Sequence, residues 1–371
     1  MKFIDVLNKT DFSKISSISE HASDLEVKSI LSKEKITFED YIILLSETAV
    51  NYLEEMARKA QMITQKFFGK TILLYAPIYL SNECDNSCIY CGFNQKVSGK
   101  RISLSVSEVI KEADFLYDRG FRHILLVSGE KKGIVSIAYL KEIVSTLHKK
   151  FESISIEIFP LEENEYKELF SVGVDGITIY QEVYDKEIYK KVHPAGPKSD
   201  YEFRLATPER AGRVGFYRIN IGALLGLGEF QKEAACVGLH ASYLRKKFWK
   251  SQISISFPRI QGSGANFKPI NPISDKQLVQ MLCALRLFLP QAGLVLSTRE
   301  SGTFRDNLIS LGTTQMSAES KTSPGGYLNC NQEGEQFNVS DKRSVEEVSQ
   351  AIKLKGYEPV FKDWDKALTQ S

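Results

Sequence analysis

The stretch "KTILLYAPIYLS" (residues 70–81) runs, two residues later, into "CDNSCIYC" (residues 84–91). The first run is rich in aliphatic and aromatic residues and predicts a buried strand. The second run carries three cysteines with the spacing Cys-x3-Cys-x2-Cys. Because the strand ends beside a cluster of possible metal ligands, we expect the functional site at this end of the sheet.

Seven further strand-like runs follow this one and alternate with helical patterns. The eight predicted strands cover residues 70–81, 122–130, 153–160, 176–184, 217–226, 251–260, 293–300 and 313–320. Helices are predicted at residues 105–120, 137–150, 162–172, 200–214, 231–249, 274–290 and 302–311. Apolar strands alternating with helices indicate a parallel sheet covered by helices, and eight such units favour a closed (βα)8 TIM-type barrel. An open doubly wound sheet is the alternative, which the lack of an early Gly-x-Gly-x-x-Gly disfavours.

The two ends of the chain differ from this alternating centre. Residues 1–69 predict an N-terminal helical extension, whose last helix starts at the Thr37 cap, with Asp40 three residues on, and stops at Gly69. Residues 70–320 form the predicted barrel. Residues 321–371 are rich in glycine and polar residues and predict a capping segment over the barrel mouth.

The composition is that of a soluble globular enzyme. Of the 371 residues, 43% are hydrophobic and 25% are charged, and the net charge is only +2. Nucleic-acid binding needs a concentrated basic excess, so it is not expected. The N-terminus lacks the apolar segment of a signal peptide, and no apolar run approaches the roughly 20 residues of a membrane span. We therefore predict a cytoplasmic protein, in which thiols stay reduced.

Three readings compete for the clustered cysteines, Cys84, Cys88 and Cys91. A structural zinc site needs a fourth ligand, usually from a second pair, and the five histidines are scattered singly. A disulfide does not suit a cytoplasmic chain. An iron–sulfur cluster suits three thiolates, because four irons with three protein ligands leave one iron open. Cys236 and Cys283 lie in helical patterns and are expected to be buried and inert, and Cys330 lies in a polar loop.

The spacing Cys-x3-Cys-x-aromatic-Cys after the first barrel strand resembles the signature of radical S-adenosylmethionine (SAM) enzymes. The matching residues are Cys84, Cys88, Tyr90 and Cys91. The resemblance implies a [4Fe-4S] cluster whose open iron takes the amino and carboxylate groups of SAM, with Tyr90 lying against the adenine. An electron from the cluster then cleaves the sulfonium and releases a 5'-deoxyadenosyl radical.

Other predicted strand ends fit the same family. "SGE" (Ser128-Gly129-Glu130) resembles the family's Gly-Gly-Glu turn, which receives the SAM amino group, although serine replaces the first glycine. The resemblance assigns the ribose hydroxyls to Gln181 or Glu182. It assigns the SAM carboxylate to Arg204, with Arg210 as the alternative.

Within that superfamily, the chain resembles the tyrosine lyases of thiamine biosynthesis (ThiH type), the 2-iminoacetate synthases. The resemblance extends from about residue 50 to 365. Its motifs are "QEVY" (181–184), "HPAGPKSDY" (193–201), "SFPRI" (256–260), "LSTRES" (296–301), "MSAESKTSPGGY" (316–327) and "GYEPVFKDW" (356–364).

Arg299 and Ser317 are the candidate substrate residues. An arginine at the end of an apolar strand is costly unless it meets a partner, and its planar fork matches a carboxylate. The resemblance places the tyrosine carboxylate on Arg299, with the Ser317 hydroxyl beside it. The alternative is a salt bridge from Arg299 to Glu300. The roles of His193 and Lys198 stay open between structure and substrate contact.

The resemblance implies that a hydrogen is removed from the tyrosine amino nitrogen and that the Cα–Cβ bond then breaks. The products are p-cresol and 2-iminoacetate (dehydroglycine), with 5'-deoxyadenosine and methionine from SAM. The implied partners are a thiazole synthase (ThiG type) and an electron donor such as flavodoxin or ferredoxin.

Several alternatives remain open. The [FeFe]-hydrogenase maturation lyase shares the first half-reaction but carries a second C-terminal cysteine motif, whereas only Cys330 follows the barrel here. A tryptophan lyase, a biotin synthase-like sulfur inserter and a non-catalytic barrel with a structural metal are the others.

Overall fold

Eight parallel strands form a closed barrel in this computed structural model, which describes residues 1–260, 267–329 and 334–363. Each strand pairs with the next, and β1 also pairs with β8, so the ring closes. The strands are β1 (Thr71–Ser81), β2 (His123–Ser128), β3 (Ser153–Glu157), β4 (Gly176–Glu182), β5 (Arg218–Ala223), β6 (Gln252–Ser256), β7 (Gly293–Leu296) and β8 (Gln315–Ser317). The predicted (βα)8 barrel is confirmed, and every predicted strand contains an observed one.

Helices surround this ring and precede it. They are α1 (Phe3–Lys9), α2 (Phe12–Glu20), α3 (Asp24–Ser32), α4 (Phe38–Ile43), α5 (Leu53–Phe68), α6 (Val106–Asp118), α7 (Ile137–Leu147), α8 (Glu163–Ser171), α9 (Lys186–Val192), α10 (Tyr201–Leu205), α11 (Thr207–Val214), α12 (Phe230–Lys247), α13 (Asp275–Phe288), α14 (Gly302–Leu308) and α15 (Val345–Leu354). The sequence did not predict α9, and the predicted helix 200–214 is two helices. None of the helices in the described parts of the chain has the length and apolar character to cross a membrane.

The predicted long helix after Thr37 is also interrupted. The capping box holds, because Thr37 Oγ1 accepts a hydrogen bond from the Asp40 amide (3.1 Å) and Asp40 accepts one from the Thr37 amide. The chain then leaves the α-helix after Ile43. Gln280 Nε2 on α13 donates to the carbonyls of Leu44 (2.9 Å) and Ser46 (2.8 Å). A tertiary contact thus satisfies the carbonyls that the break exposes, which no local pattern reveals.

The barrel interior is more polar than the prediction of continuous apolar strands implies. Isoleucines such as Ile154 and Ile219 are buried among the surrounding helices, whereas Ser155, Asn220 and Ser254 between them line the lumen. A polar cavity of about 310 Å³ occupies the lower end of the barrel, where the strands begin. Aliphatic layers usually fill a barrel of this kind, so the alternation in "SISIE", "RINIG" and "QISIS" marks an unusual lumen.

The C-terminal segment reaches both ends of the barrel. Near the mouth, the Gln336 carbonyl accepts a hydrogen bond from the amide of Gly92, in the cysteine loop (3.0 Å). The chain then forms α15 and a ninth strand, β9 (Glu358–Val360), which pairs with the lower half of β1. Asp363 closes the base through an ion pair with Arg218 (2.9 Å). Cys330, which the sequence placed in a polar loop, lies outside the described residues.

Candidate active site

The loop that carries the three cysteines follows β1 and is fixed from two sides. The Asn86 side chain donates to Glu130 Oε2 (2.7 Å), just past β2, and accepts from the Lys198 amide (2.8 Å). The Ser87 amide donates to the Ala195 carbonyl (3.0 Å), in the loop after α9. The loop is therefore clamped between the carboxyl ends of β2 and β4, which is where a barrel places reacting groups.

The three thiols lie in a mostly buried environment with backbone donors aimed at two sulfurs. Cys84 Sγ accepts from the Glu130 amide, and Cys91 Sγ accepts from the Phe93 amide, both at 3.4 Å. Such N–H···S contacts are typical around iron–sulfur clusters. Burial raises the pKa of Cys88 to about 12, so this thiol ionises at neutral pH only when a metal displaces its proton.

The donor set suits an iron–sulfur cluster with an open iron. Three thiolates on one loop can each bind a different iron, which leaves the fourth iron without a protein ligand. A structural zinc site usually takes its four ligands from two pairs, and the cysteine loop supplies three. Within the described ranges, no three His, Cys, Asp or Glu side chains converge on one point.

Tyr90 is held between the cysteines by a histidine. Its hydroxyl lies 2.8 Å from His193 Nε2, and His193 Nδ1 lies 2.9 Å from the Tyr189 carbonyl. A carbonyl can only accept, so we assign the ring proton to Nδ1 and the acceptor role to Nε2. Burial lowers the pKa of His193 to about 3, which keeps the ring neutral. His193, whose role the sequence left open, thus orients the aromatic residue of the cysteine motif.

A buried charge cluster lies at the end of β4. Glu182 adopts a left-handed backbone (φ 69°) at an irregularity in the β4–β5 pairing. This turns its carboxylate toward Lys198 Nζ (2.6 Å) and Arg204 (3.4 Å). Burial opposes its ionisation, but the two cations outweigh burial and hold the pKa of Glu182 below its usual value. Lys198, the other residue left open by the sequence, belongs to this cluster.

Two buried polar atoms beside the cysteine loop lack a protein partner within the described residues. They are Ser128 Oγ and Gln181 Oε1, at the ends of β2 and β4. Between them the backbone of Gly129 approaches the Glu83 carbonyl so closely that a Cβ would lie 2.3 Å from it. Orphaned buried acceptors and donors are rare in folded proteins and indicate a ligand. Residues of the predicted SAM site thus supply the unsatisfied atoms that a polar ligand needs.

Arg204 and Arg210, the two candidates for binding the SAM carboxylate, have different contacts in the structure. Arg204 donates to the Tyr180 carbonyl (2.7 Å) and faces Glu182. Arg210 instead donates to the Leu161 and Phe203 carbonyls (2.8 and 2.9 Å), away from this cluster. The geometry favours Arg204.

Arg299 and Ser317 line a second, smaller cavity in the upper lumen. The Arg299 guanidinium stacks on Phe337, 3.4 Å from the ring centre, and forms no ion pair in the described parts of the chain. The alternative partner, Glu300, is instead bound by Arg259 (2.6 Å). Ser317 Oγ accepts from the Thr298 amide (3.2 Å). The Arg299 guanidinium therefore faces a cavity with aromatic walls and has no acidic partner among the described residues.

Glu157, which the sequence analysis did not single out, lines the same cavity from the end of β3. Burial raises its pKa to about 7, and Glu182 adds to the shift, while Arg299, Arg204 and Lys198 lower it. The signal that could have found it is the inward alternation of "SISIE", which puts a carboxylate on the lumen side.

Comparison with known proteins places this geometry in a family. The model of the radical SAM superfamily matches residues 78–235, and that of the biotin and thiamin synthesis associated domain matches residues 260–358. The chain is 41% identical to the 2-iminoacetate synthase of Escherichia coli over 92% of this chain and 91% of that protein. Identity to the Salmonella typhimurium 2-iminoacetate synthase is also 41%, over 92% of this chain and 90% of that protein.

A solved structure with the same fold is also similar to this chain. The crystal structure of HydG, a maturase of the [FeFe]-hydrogenase, superposes with a TM-score of 0.88 at 30% identity. The match covers 94% of this chain but 80% of that protein.

Proposed function

From the premise that the chain belongs to the 2-iminoacetate synthase family of radical SAM enzymes, we propose the reaction and the residues that carry it out. The enzyme is a radical SAM carbon–carbon lyase. It cleaves the Cα–Cβ bond of L-tyrosine to 2-iminoacetate and p-cresol, which supplies part of the thiazole of thiamine.

Cys84, Cys88 and Cys91 would hold the [4Fe-4S] cluster and leave one iron open for the SAM amino and carboxylate groups. When bound, the cluster and SAM supply an electron and a 5'-deoxyadenosyl radical. Around them, Arg204 neutralises the SAM carboxylate, and the Ser128–Glu130 turn receives the amino group. Gln181 and Glu182, the last two residues of β4, would bind the ribose hydroxyls.

The observation that carries the substrate assignment is that Arg299 forms no ion pair with any residue the structure describes. Its fork can bind the tyrosine carboxylate through two hydrogen bonds, and Ser317 lies in the same cavity. The aromatic walls of this cavity, including Tyr75, Tyr79 and Phe337, suit a phenol ring. The residues thus bind and orient tyrosine above the lumen, and the closed ring of strands limits access of water from the sides.

Two partners complete the proposal. Because 2-iminoacetate hydrolyses readily, direct transfer to a thiazole synthase (ThiG type) is expected. A flavodoxin or ferredoxin would deliver the electron. Identity to the 2-iminoacetate synthases is 41%, against 30% to HydG. This supports the thiamine role over the hydrogenase role.

The test is anaerobic reconstitution followed by incubation with SAM, dithionite and tyrosine. We expect about four irons per chain, from the three-cysteine argument, and equal release of p-cresol and 5'-deoxyadenosine. Tryptophan in place of tyrosine should give no aromatic product. A reduced, cluster-loaded sample that makes no p-cresol from tyrosine would contradict the proposal.

A further inference from the structure

Glu157 is an acid of the upper lumen for which the described part of the chain supplies no partner. Its side chain is only partly buried because it opens onto the cavity that Arg299 and Ser317 line. Within the described residues its carboxylate receives no hydrogen bond and forms no ion pair. The neighbouring acids differ, because Glu182 is bound by Lys198 and Glu130 by Asn86.

The place of Glu157 in the barrel relates it to Arg299. Glu157 ends β3 and Arg299 follows β7, and these two strands lie four apart in a ring of eight, so the two side chains face each other across the lumen. Glu157 is also within electrostatic range of Glu182, Arg204 and Lys198, the cluster at the end of β4. It therefore lies between the cation proposed for the substrate carboxylate and the residues proposed for SAM.

An α-amino acid presents opposite charges on one carbon. If Arg299 takes the carboxylate, the ammonium must lie within the same small cavity, and a buried ammonium needs an anionic partner. Two acids line the cavity, and Arg259 binds Glu300, so among the described residues Glu157 is the acid left available.

We propose, on the basis of the function proposed above, that Glu157 binds the substrate α-amino group and removes one proton from it. The step converts R–NH3⁺ and the carboxylate into R–NH2 and the carboxylic acid, so charge and protons balance. Loss of a hydrogen atom from a neutral amine leaves a neutral nitrogen radical, whereas loss from the ammonium leaves a radical cation, so this transfer prepares the nitrogen for the radical step. A pKa near 7 suits a group that must accept a proton at neutral pH.

The groups facing Glu157 define how it responds to pH. They are Glu182 on β4, the cations Arg204, Lys198 and Arg299, and the phenols of Tyr75, Tyr79 and Tyr180. Glu182 opposes the Glu157 anion and the cations favour it, so its titration belongs to the whole group. As the pH rises through about 7, the carboxylate form that accepts the proton becomes dominant.

A binding experiment on the reconstituted, unreduced enzyme with SAM tests the proposal without turnover. Equilibrium dialysis would compare tyrosine with 3-(4-hydroxyphenyl)propanoate, which lacks the amino group, and with phenylalanine, which lacks the phenol hydroxyl. Removing the amino group should weaken binding to the natural enzyme about 10- to 100-fold, as for a lost charged hydrogen bond. In Glu157→Gln, the ratio of the affinities for tyrosine and its desamino analogue should fall to about threefold or less. The ratio of the affinities for tyrosine and phenylalanine should be unchanged.

The matched control is Glu168→Gln on α8, whose exposed carboxylate pairs with Lys141 on the surface (3.0 Å). It should keep every ratio of the natural enzyme. If Glu157→Gln alters the phenylalanine ratio instead, Glu157 faces the phenol and the proposal is overturned. Equal binding of tyrosine and its desamino analogue by the natural enzyme would also overturn it, and this arm needs no variant to fold.

Turnover gives an independent readout. In the natural enzyme, kcat/KM for p-cresol formation should rise with pH through about 7. In Glu157→Gln, kcat/KM should be about 100-fold lower and should no longer rise with pH. Glu157→Asp should recover part of the rate and part of the pH dependence. Unchanged kcat/KM in Glu157→Gln would overturn the proposal. Absence of p-cresol from the natural enzyme would instead contradict the proposed function, and the binding ratios would still decide the role of Glu157.

Discussion

The two ends of the barrel differ in how completely they pair their charges, because the mouth holds both paired charges, such as Glu182 with Lys198, and unpaired ones. At the base, Arg218 pairs with Asp363, whose backbone amide donates to His123 Nε2 (3.3 Å). At the mouth, Arg299 stacks on a phenylalanine without an ion pair among the described residues, and Glu157 opens onto the same cavity without a partner. Both ends are polar, so polarity alone does not identify a site. The difference is whether the protein satisfies its own charges, and where it does not, a ligand is expected.

The strongest test of this contrast is removal of a cluster ligand at the mouth. Cys88→Ala should reduce the iron content sharply and bring p-cresol formation to background, because a cluster cannot be held by two thiolates beside an open iron. Far-ultraviolet circular dichroism should stay unchanged, since the barrel does not depend on this loop. Cys283→Ala, a buried cysteine on α13, is the control and should retain the cluster. Equal activity of the two variants would contradict the ligand assignment.

Arg299→Ala should produce the next largest effect. Loss of a bidentate contact with the tyrosine carboxylate should lower kcat/KM for p-cresol about 100- to 1,000-fold, measured on protein with an intact cluster spectrum. Thermal stability should change little, because Arg299 forms no ion pair with the described residues and loses only its stacking on Phe337. Loss of the cluster in this variant would assign Arg299 a structural role instead.

Arg218→Ala at the base should give the reverse result. It leaves Asp363 and the partly buried Asp175 without their cation, so the free energy of unfolding should fall by about 2 kcal/mol. The kcat/KM of the folded fraction should stay within about threefold of the natural enzyme. A large loss of turnover at unchanged stability would show that the base takes part in the chemistry.

The smallest expected effect is a pH-dependent one at Asp175. Burial raises its pKa from 3.8 to about 6, against the opposing pull of Arg218. A raised pKa means that the folded chain holds the proton longer than the unfolded chain, so this residue's stabilisation falls as the pH rises from about 4 to 6. Asp175→Asn should therefore be more stable than the natural protein by about 1 kcal/mol at pH 7, and not at pH 4, in urea titrations. A gain that persists at pH 4 would rule out ionisation as its cause.

The sequence predicted the architecture well because β-branched runs and helical periodicity are local signals. It missed what depends on distant residues. The three residues of β9 are too few to show an alternating pattern of apolar and polar residues. They form a strand because they pair with the backbone of β1. The break after Ile43 likewise depends on Gln280, more than two hundred residues away.

The candidate site shows the same division. The cysteine spacing and Arg299 could be found from sequence, because each has a characteristic motif or an unusual strand position. The alternation in "SISIE" could have placed Glu157 on the lumen side, but only the folded lumen shows which acids are already bound by the protein. For the same reason the sequence left Arg204 and Arg210 undecided until their contacts were known.

The pairing of β1 has a consequence for the order in which the molecule is made. The lower half of β1 pairs only with residues 315–317 and 358–360. The first strand to be synthesised therefore cannot complete its pairing until the last strand has been synthesised. Pairings so distant in sequence form slowly. The cysteine loop therefore emerges long before its supporting strand is fully paired, and the proposed cluster would have this period in which to be loaded.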